Sequence, residues 1–404
     1  MKIKVLLICF IILIFSCSNS KVIKISSSKE LESLFEKPQY FIEVHLASGE
    51  YFLNPKSIID STCGNCEDPN TPIPATVGLI ISGKNIKLIG PEDRSAIIHT
   101  NAGYGLFIKK CESCIIENLS ITGGIRDTSA FASDAAIVVK NSNATIKNNK
   151  IYENLGDSLL ISKNIVGIMG ICGRENSKIE IIENEIICNS WDGIALYRDS
   201  EAIILRNIID GIDKRGGRKP SGGRGVGIGV TWNAKALIEE NLISRYWKGI
   251  GIFVDANCTI RNNIVEDLIT WGIALWDAGK GKPKAKIENN IIYDVGACGI
   301  SITHSQESEE PGYLIGNIIV KAAQDSAYDS PDFYCYQCAL AKHDVPENFL
   351  IEENLFFNNR RATNDLPDYD LSEHEFYEQF ENKKMIWNSI PIYKKSKFYK
   401  DFFE

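Results

Sequence analysis

Ile238–Ala256 reads IEENLISRYWKGIGIFVDA, and Thr259–Ala278 reads TIRNNIVEDLITWGIALWDA. In each stretch an Ile and a polar pair lead to an Asn (Asn241, Asn263). An apolar run, a polar turn and Gly-Ile-x-hydrophobic follow (Gly249, Gly272). The Asn-to-Asn step is 22 residues and the Gly-to-Gly step 23. A period of this length is the mark of stacked structural repeats. Within each unit the alternation in I-G-I-F-V and I-A-L-W has period two, which predicts strands.

The unit recurs in both directions. Asn118, Asn149, Asn184, Asn207, Asn241, Asn263, Asn290, Asn317 and Asn354 sit at its first mark. Gly105, Gly167, Gly193, Gly227, Gly249, Gly272 and Gly299 sit at its second, with Ala136 and Ala339 as small substitutes. One such coil cannot bury its inward side chains alone. Stacked on its copies, with parallel strands about 4.8 Å apart, it can. Inward amides then lie above one another and satisfy each other inside the core.

This pattern resembles the right-handed parallel β-helix of the pectin-lyase-like superfamily, with its asparagine ladder at one turn. The resemblance implies an all-β, single-domain solenoid of about ten coils over residues 41–358. It also implies that a groove along one sheet takes polysaccharide. Residues 27–40, opening on Ser27-Ser28-Lys29-Glu30 with Leu31, Leu34 and Phe35 on one face, are expected as an N-terminal capping helix ended by Pro38. Residues 359–404 are expected as a C-terminal capping segment, with a short helix over Glu373–Glu381.

Residues 1–16 have a basic start and an apolar run from Val5 to Phe15, too short to span a bilayer. Ile14-Phe15-Ser16-Cys17 looks like a bacterial lipobox. On that reading Cys17 is lipidated, residues 18–26 are a tether, and the protein is held at an outer-membrane, cell-surface or periplasmic face. An ordinary secretory signal is the alternative. The formal charge of −8 becomes −10 once Lys2 and Lys4 leave, which argues against nucleic acid as a partner. A monomer is expected. Of twelve cysteines, six form Cys-x-x-Cys pairs: Cys63/Cys66, Cys111/Cys114 and Cys335/Cys338. Outside the cytosol such pairs suit disulfides, with zinc binding as the alternative.

Function in a solenoid collects where loops lengthen. Long excursions flank the strand that begins at the repeated Gly: Gly123–Asp134, Gly211–Arg224 and Lys321–Gln337 before it, Ala278–Lys284 and Ser305–Gly312 after it. Alternation places Tyr197, Thr231, Phe253, Trp276 and Thr303 in one outward row. Arg198, Trp232, Asp277, His304 and His343 stand at the strand's end, Asp199, Asn233 and Asp255 just beyond, and Trp191, Trp247 and Trp271 at the near rim. Aromatic rings beside carboxylates and amides suit sugars; the alternative is that loops cover these rings and they merely pack.

Asp255, Asp277 and His304 are the candidate catalytic groups for lyase or glycoside-hydrolase chemistry, with Arg224 or Lys248 assisting. Against this, an Asp at a strand end commonly caps a turn. The loop with Lys214, Arg215, Arg218, Lys219 and Arg224 is basic and Gly-rich. Arg218–Arg224 looks like the Arg-x-Pro-x-x-Arg of pectate lyases with one extra residue. Calcium is the cofactor a lyase of that kind would imply. The sequence lacks the Asn-Thr-Asp, Asp-Asp and Gly-His-Gly signature of polygalacturonases and the Asp-Pro-His of alginate epimerases. Three readings stay open: a polysaccharide-active enzyme, a non-catalytic binding lipoprotein, and a structural surface protein.

Overall fold

The computed structural model describes residues 20–127, 131, 133–156, 167–211, 225–302, 312–329, 337–343, 345–361 and 368–404. Each repeat folds as one coil of three strands. The coil at the centre of the quoted stretch runs Lys248–Phe253, then Asn257–Arg261, then Ile264–Leu268. Every strand pairs in parallel with its counterpart one coil on, as in Ile250↔Ile273, Ile260↔Ile287 and Val265↔Ile292. Three stacked sheets result, called I, II and III in coil order. Among the described residues sheet III has eleven strands. The early strands Ile73–Ile89 and Tyr104–Glu117 run from sheet I into sheet II without a break.

Inside, aliphatic side chains form columns. Ile228, Ile250, Ile273 and Ile300 of sheet I face Ile238, Ile260 and Ile287 of sheet II and Ile243, Val265 and Ile292 of sheet III, all fully buried. The repeated Gly has a steric cause. A Cβ on Gly249 would lie 2.5 Å from the carbonyl oxygen of Gly272, so the bend leading into sheet I admits no side chain there. Gly170 holds this position in its coil, 2.6 Å from the Gly193 oxygen, and not Gly167 as expected.

At the bend from sheet II to sheet III the amides stack. Asn241 donates through Nδ2 to Asn263 Oδ1 (2.9 Å) and to the Ile204 carbonyl (2.9 Å), while its backbone N–H donates to the same Asn263 oxygen (3.0 Å). The pattern repeats through Asn149, Asn184, Asn207, Asn263, Asn290 and Asn317 to Asn354. Asn118 is not a rung. It lies one residue early, in the left-handed turn position (φ 58°), and Leu119 takes the ladder site, its N–H donating to Asn149 Oδ1. A second, shorter amide column went unread in the sequence. Asn154 and Asn189 each lie five residues after a rung, and Asn154 Nδ2 donates to Asn189 Oδ1 at 2.8 Å; Asn359, five residues after Asn354, stands alone and donates to the Ile319 carbonyl.

The ends bring two differences from expectation. Lys21–Ile25 lies within the presumed tether, yet it forms a strand paired with Gln39–Leu46 and opens sheet II. Its alternation places Ile25 in the core, which a tether would leave in water. Helix α1 (Ser28–Leu34), capped by Ser27, packs Leu31 and the following Phe35 into the same core. At the other end, α2 (Glu373–Asn388) and α3 (Lys397–Phe403) lie along the flank of the stack. Phe376, Phe380, Trp387, Tyr393 and Phe398 cover the outward side of sheet III at Leu242, Ile264, Ile291, Ile318 and Leu355. Glu266 anchors α3 by accepting from the N–H groups of Lys397 (2.8 Å) and Phe398 (3.0 Å). Cys17 lies outside the described residues.

Candidate functional site

The outward side of sheet I divides into two halves. Over the first, residues 54–75 form a strap. Lys56–Asp60 pairs antiparallel with Ile73–Val77, and the intervening chain crosses the sheet. Beneath it lie Tyr104, Phe107, Val138, Met169, Cys172, Ala195 and Tyr197. Asp60 fastens the strap: its carboxylate accepts from Tyr104 Oη (3.3 Å), Lys140 Nζ and Arg174 Nη2. Arg174, 1% exposed, also donates to the Thr62 carbonyl (3.0 Å) and to Glu175 (2.8 Å). Such a pair is retained because a lone buried charge would be costly.

The strap's tip rests on the next coils. Gly64 fits because a Cβ there would lie 3.1 Å from Arg174 Cδ and 3.2 Å from Tyr197 Cβ. Cys63 and Cys66 are joined by a disulfide, as expected from their spacing. Arg198 donates to the carbonyls of Gly64 (3.2 Å), Cys66 and Glu67 (3.2 Å), and its guanidinium lies 4.1 Å from the Trp232 ring centre. Lys280 approaches the same ring (5.6 Å) and pairs with Glu67 (3.2 Å). Two expected ligand-binding residues are therefore structural. Tyr197 is buried under the strap and Arg198 is committed to its carbonyls. The covering segment comes from 130 residues upstream, so repeat alignment could not show it.

The second half carries the expected rings. Trp247 and Trp271 lie 6.3 Å apart on adjacent coils, and Phe253 and Trp276 meet edge to face at 6.4 Å. All four are half-buried. Lys248 organises them: its ammonium stands 4.4 Å from Trp247, 4.3 Å from Trp271 and 5.4 Å from Phe253. A cation over ring faces is attracted by their quadrupoles, and with Lys248 only 7% exposed that attraction is little screened. Lys248 thus sets the rings' orientation more than it offers a free charge. Gly229, Gly251, Ala274 and Ser301, each on the register row one residue past the inward Ile, are themselves buried, and the Phe253 ring lies over Gly251, where a Cβ would come within 2.3 Å of it.

Asn233 and Asp199 are exposed at the corner toward sheet II, and Asp255 accepts the Asn233 N–H (2.7 Å). With Lys235, Lys282 and Lys284 they line a shallow pocket of about 360 Å³. Asp277 is 5% exposed and accepts the Gly279 N–H (2.8 Å). Both carboxylates of the proposed acid pair therefore cap backbone groups. Thr303, His304 and Arg224, with the whole basic loop, lie outside the described residues. Among the described residues no group of three or more His, Cys, Asp or Glu side chains is placed to hold a metal, so calcium finds no donor set there. Cys111 and Cys114 are free buried thiols in the core, hydrogen-bonded to each other and not joined as a disulfide. Cys335 is outside the described residues; Cys338 lies 3.8 Å, sulfur to sulfur, from Cys298.

Two features escaped the sequence reading. Asp192 precedes Gly193 at the position Val226, Lys248 and Trp271 hold in later coils. Burial pushes its carboxyl up to about 7, against the opposing pull of the Val226 N–H (2.6 Å) and the Lys248 charge. Reading that column through the repeats would have found it. On sheet II, an open trough of about 740 Å³ runs past Asn143, Lys178, Glu201 and Lys235. Its Lys178–Glu201 (3.9 Å) and Lys235–Glu201 (3.7 Å) pairs are exposed, and pairs of that kind contribute little.

A three-sheet parallel solenoid with an asparagine ladder and one partly strapped face defines a parallel β-helix protein. The family model described as right handed beta helix region matches residues 76–218 and 170–322, more than half of the chain. The chain belongs to this family. No curated protein sequence matches it significantly. Among solved structures it is similar to the A-module of a mannuronan C-5 epimerase from Azotobacter vinelandii (12% identity, 84% of this chain and 90% of that one, TM-score 0.48). It is also similar to a pectate lyase (12%, 83% and 80%, TM-score 0.45) and to a surface adhesin of Streptococcus pneumoniae (12%, 80% and 69%, TM-score 0.42).

Proposed function

We propose that this protein binds polysaccharide along the part of sheet I that carries Trp247, Phe253, Trp271 and Trp276, at an exported and membrane-tethered location. One observation carries the reading: Trp247, Phe253, Trp271 and Trp276 are held half-exposed on a rigid sheet around Lys248. Ring faces carry partial negative charge, so the C–H faces of sugars stack on them while hydroxyls reach polar neighbours. Preformed concave sites of this composition bind with little reorganisation. The tether rests on the lipobox-like residues ending at Cys17. Titration of alginate, polygalacturonate and dextran into the protein tests the binding. Trp271→Ala and Trp276→Ala should each weaken it about tenfold or more, as loss of an anchoring ring does. No heat of binding with any of the three would sink the proposal.

Asp192 favours a second reading, polysaccharide processing. A carboxyl titrating near neutrality beside the aromatic floor suits proton transfer. New absorbance from unsaturated products, lost in Asp192→Asn, would establish lyase activity. Unchanged product formation in that variant would remove Asp192 from the chemistry.

A further inference from the structure

We infer that Cys298 and Cys338 are joined by a disulfide that staples two neighbouring coils, so that Cys338 is not the partner of Cys335 that its spacing suggests. The two sulfurs lie 3.8 Å apart although the residues are 40 apart in the chain. The repeat brings them together. Ile300 pairs with Leu340 on the next strand of sheet I, so Cys298 and Cys338, each two residues earlier, fall at the same point of successive coils. The Gly299 N–H donates to the Cys338 carbonyl (3.1 Å), which carries that alignment up to the cysteines themselves. Adjacent parallel strands run about 4.8 Å apart, inside the Cα separation that a disulfide spans. Closing the bond brings the sulfurs to about 2.05 Å, a small movement that rotation about the two Cα–Cβ bonds supplies.

The structure shows the pair in its reduced state, as two thiols. Both side chains are fully buried, packed with Ala341 and against Trp271 of the preceding coil. A link between residues 40 apart removes much more freedom from the unfolded chain than the three-residue Cys63–Cys66 link at the strap. The chemistry is exchange with an oxidant that itself carries a disulfide, as an oxidising compartment supplies. The inference therefore rests on the exported location proposed above and not on sugar binding. One cysteine thiolate attacks the oxidant and the other displaces it. In sum two electrons and two protons pass from the cysteines to the oxidant, which leaves as a dithiol. Burial sets the order of events: the oxidant must act before the two coils close over the sulfurs.

Disulfide mapping tests this. The full chain is unfolded with reductant, refolded in a glutathione redox couple, blocked with iodoacetamide and digested without reduction by trypsin and chymotrypsin. Cuts after Lys321 and Tyr336 place Cys298, Cys335 and Cys338 on separate peptides. The expected product is the Cys298 peptide linked to the Cys338 peptide, two hydrogens lighter than their sum and separated by reductant. A Cys335–Cys338 link, a Cys298–Cys335 link or an alkylated Cys298 would overturn the inference. Because the refolding supplies its own oxidant, such a result counts against the pairing and leaves export and sugar binding standing. Refolding in dithiothreitol should also lower the Tm of the wild type by more than that of Cys298→Ala, which keeps Cys63–Cys66 but cannot form the staple. Equal losses would show that no bond joins the coils.

Discussion

Sheets I and III are built from the same coils, yet their outward sides are covered at opposite ends. Sheet I is strapped over its first half by residues 54–75; sheet III is covered over its later coils by α2 and α3. The side chains follow the cover. One outward row of sheet III reads Glu50, Ile97, Ser120, Lys150 and Glu185 away from the helices, then Ile208, Leu242, Ile264, Ile291, Ile318 and Leu355 as it passes under them. The backbone of the repeat is thus indifferent to its outer neighbour, and the outward residue alone records whether something lies on it. On the strapped part of sheet I, likewise, the outward Tyr104, Phe107 and Tyr197 are large and buried.

The comparison breaks first at the covered half of sheet III. Ile291→Asp, which puts a charge beneath α2 and α3, should cost roughly 3–5 kcal/mol in urea unfolding. A loss below about 1 kcal/mol would mean the helices do not seal that flank. Arg174→Ala leaves Asp60 only Lys140 and Tyr104 under the strap and should cost about 1.5–3 kcal/mol. Limited proteolysis should then cut near Gly64 before the coils unfold, and a strap still resistant would deny that Arg174 fastens it. Asn263→Leu acts inside both regions alike: Asn241 and Ile238 lose hydrogen-bond partners. Roughly 1–3 kcal/mol should go, read as a lower Tm.

A pH effect sharpens the contrast. Burial pushes the Glu266 carboxyl from 4.5 up to about 7, with the Lys397 and Phe398 N–H groups opposing. Between those values the folded protein holds a proton that the unfolded chain has released, so stability from this group is whole at acid pH and declines as pH rises to about 7. Glu266→Gln should flatten that part of the wild-type decline in Tm; parallel curves would deny the shift. Smallest of all is Glu185→Ala, away from the helices. Its pair with Arg94 (3.1 Å) is partly exposed and worth at most about 1 kcal/mol by differential scanning calorimetry.

Much of this could be read from the residues. The Asn and Gly marks gave the coil and its register, and alternation gave the outward row that Phe253 and Trp276 share. The cover of sheet III was also written there, unread: Leu242-Ile243, Ile264-Val265, Ile291-Ile292 and Ile318-Ile319 are apolar on both faces, as strands buried on both sides must be. The strap left no such mark, because Tyr197 and Phe253 are alike in pattern and differ only in what crosses them. Nor did spacing reveal that Asp255 and Asp277 spend their oxygens on backbone N–H groups.

By itself the sequence determined the stacked coil, since a period-two pattern recurring every 22 or 23 residues can bury its apolar side chains only against its own copies. Which stretches of the outer surface are covered was decided by tertiary structure alone. Segments at residues 54–75 and 373–403 reach coils far away along the chain, and contacts across such distances depend on where the folded stack places them, not on any local pattern.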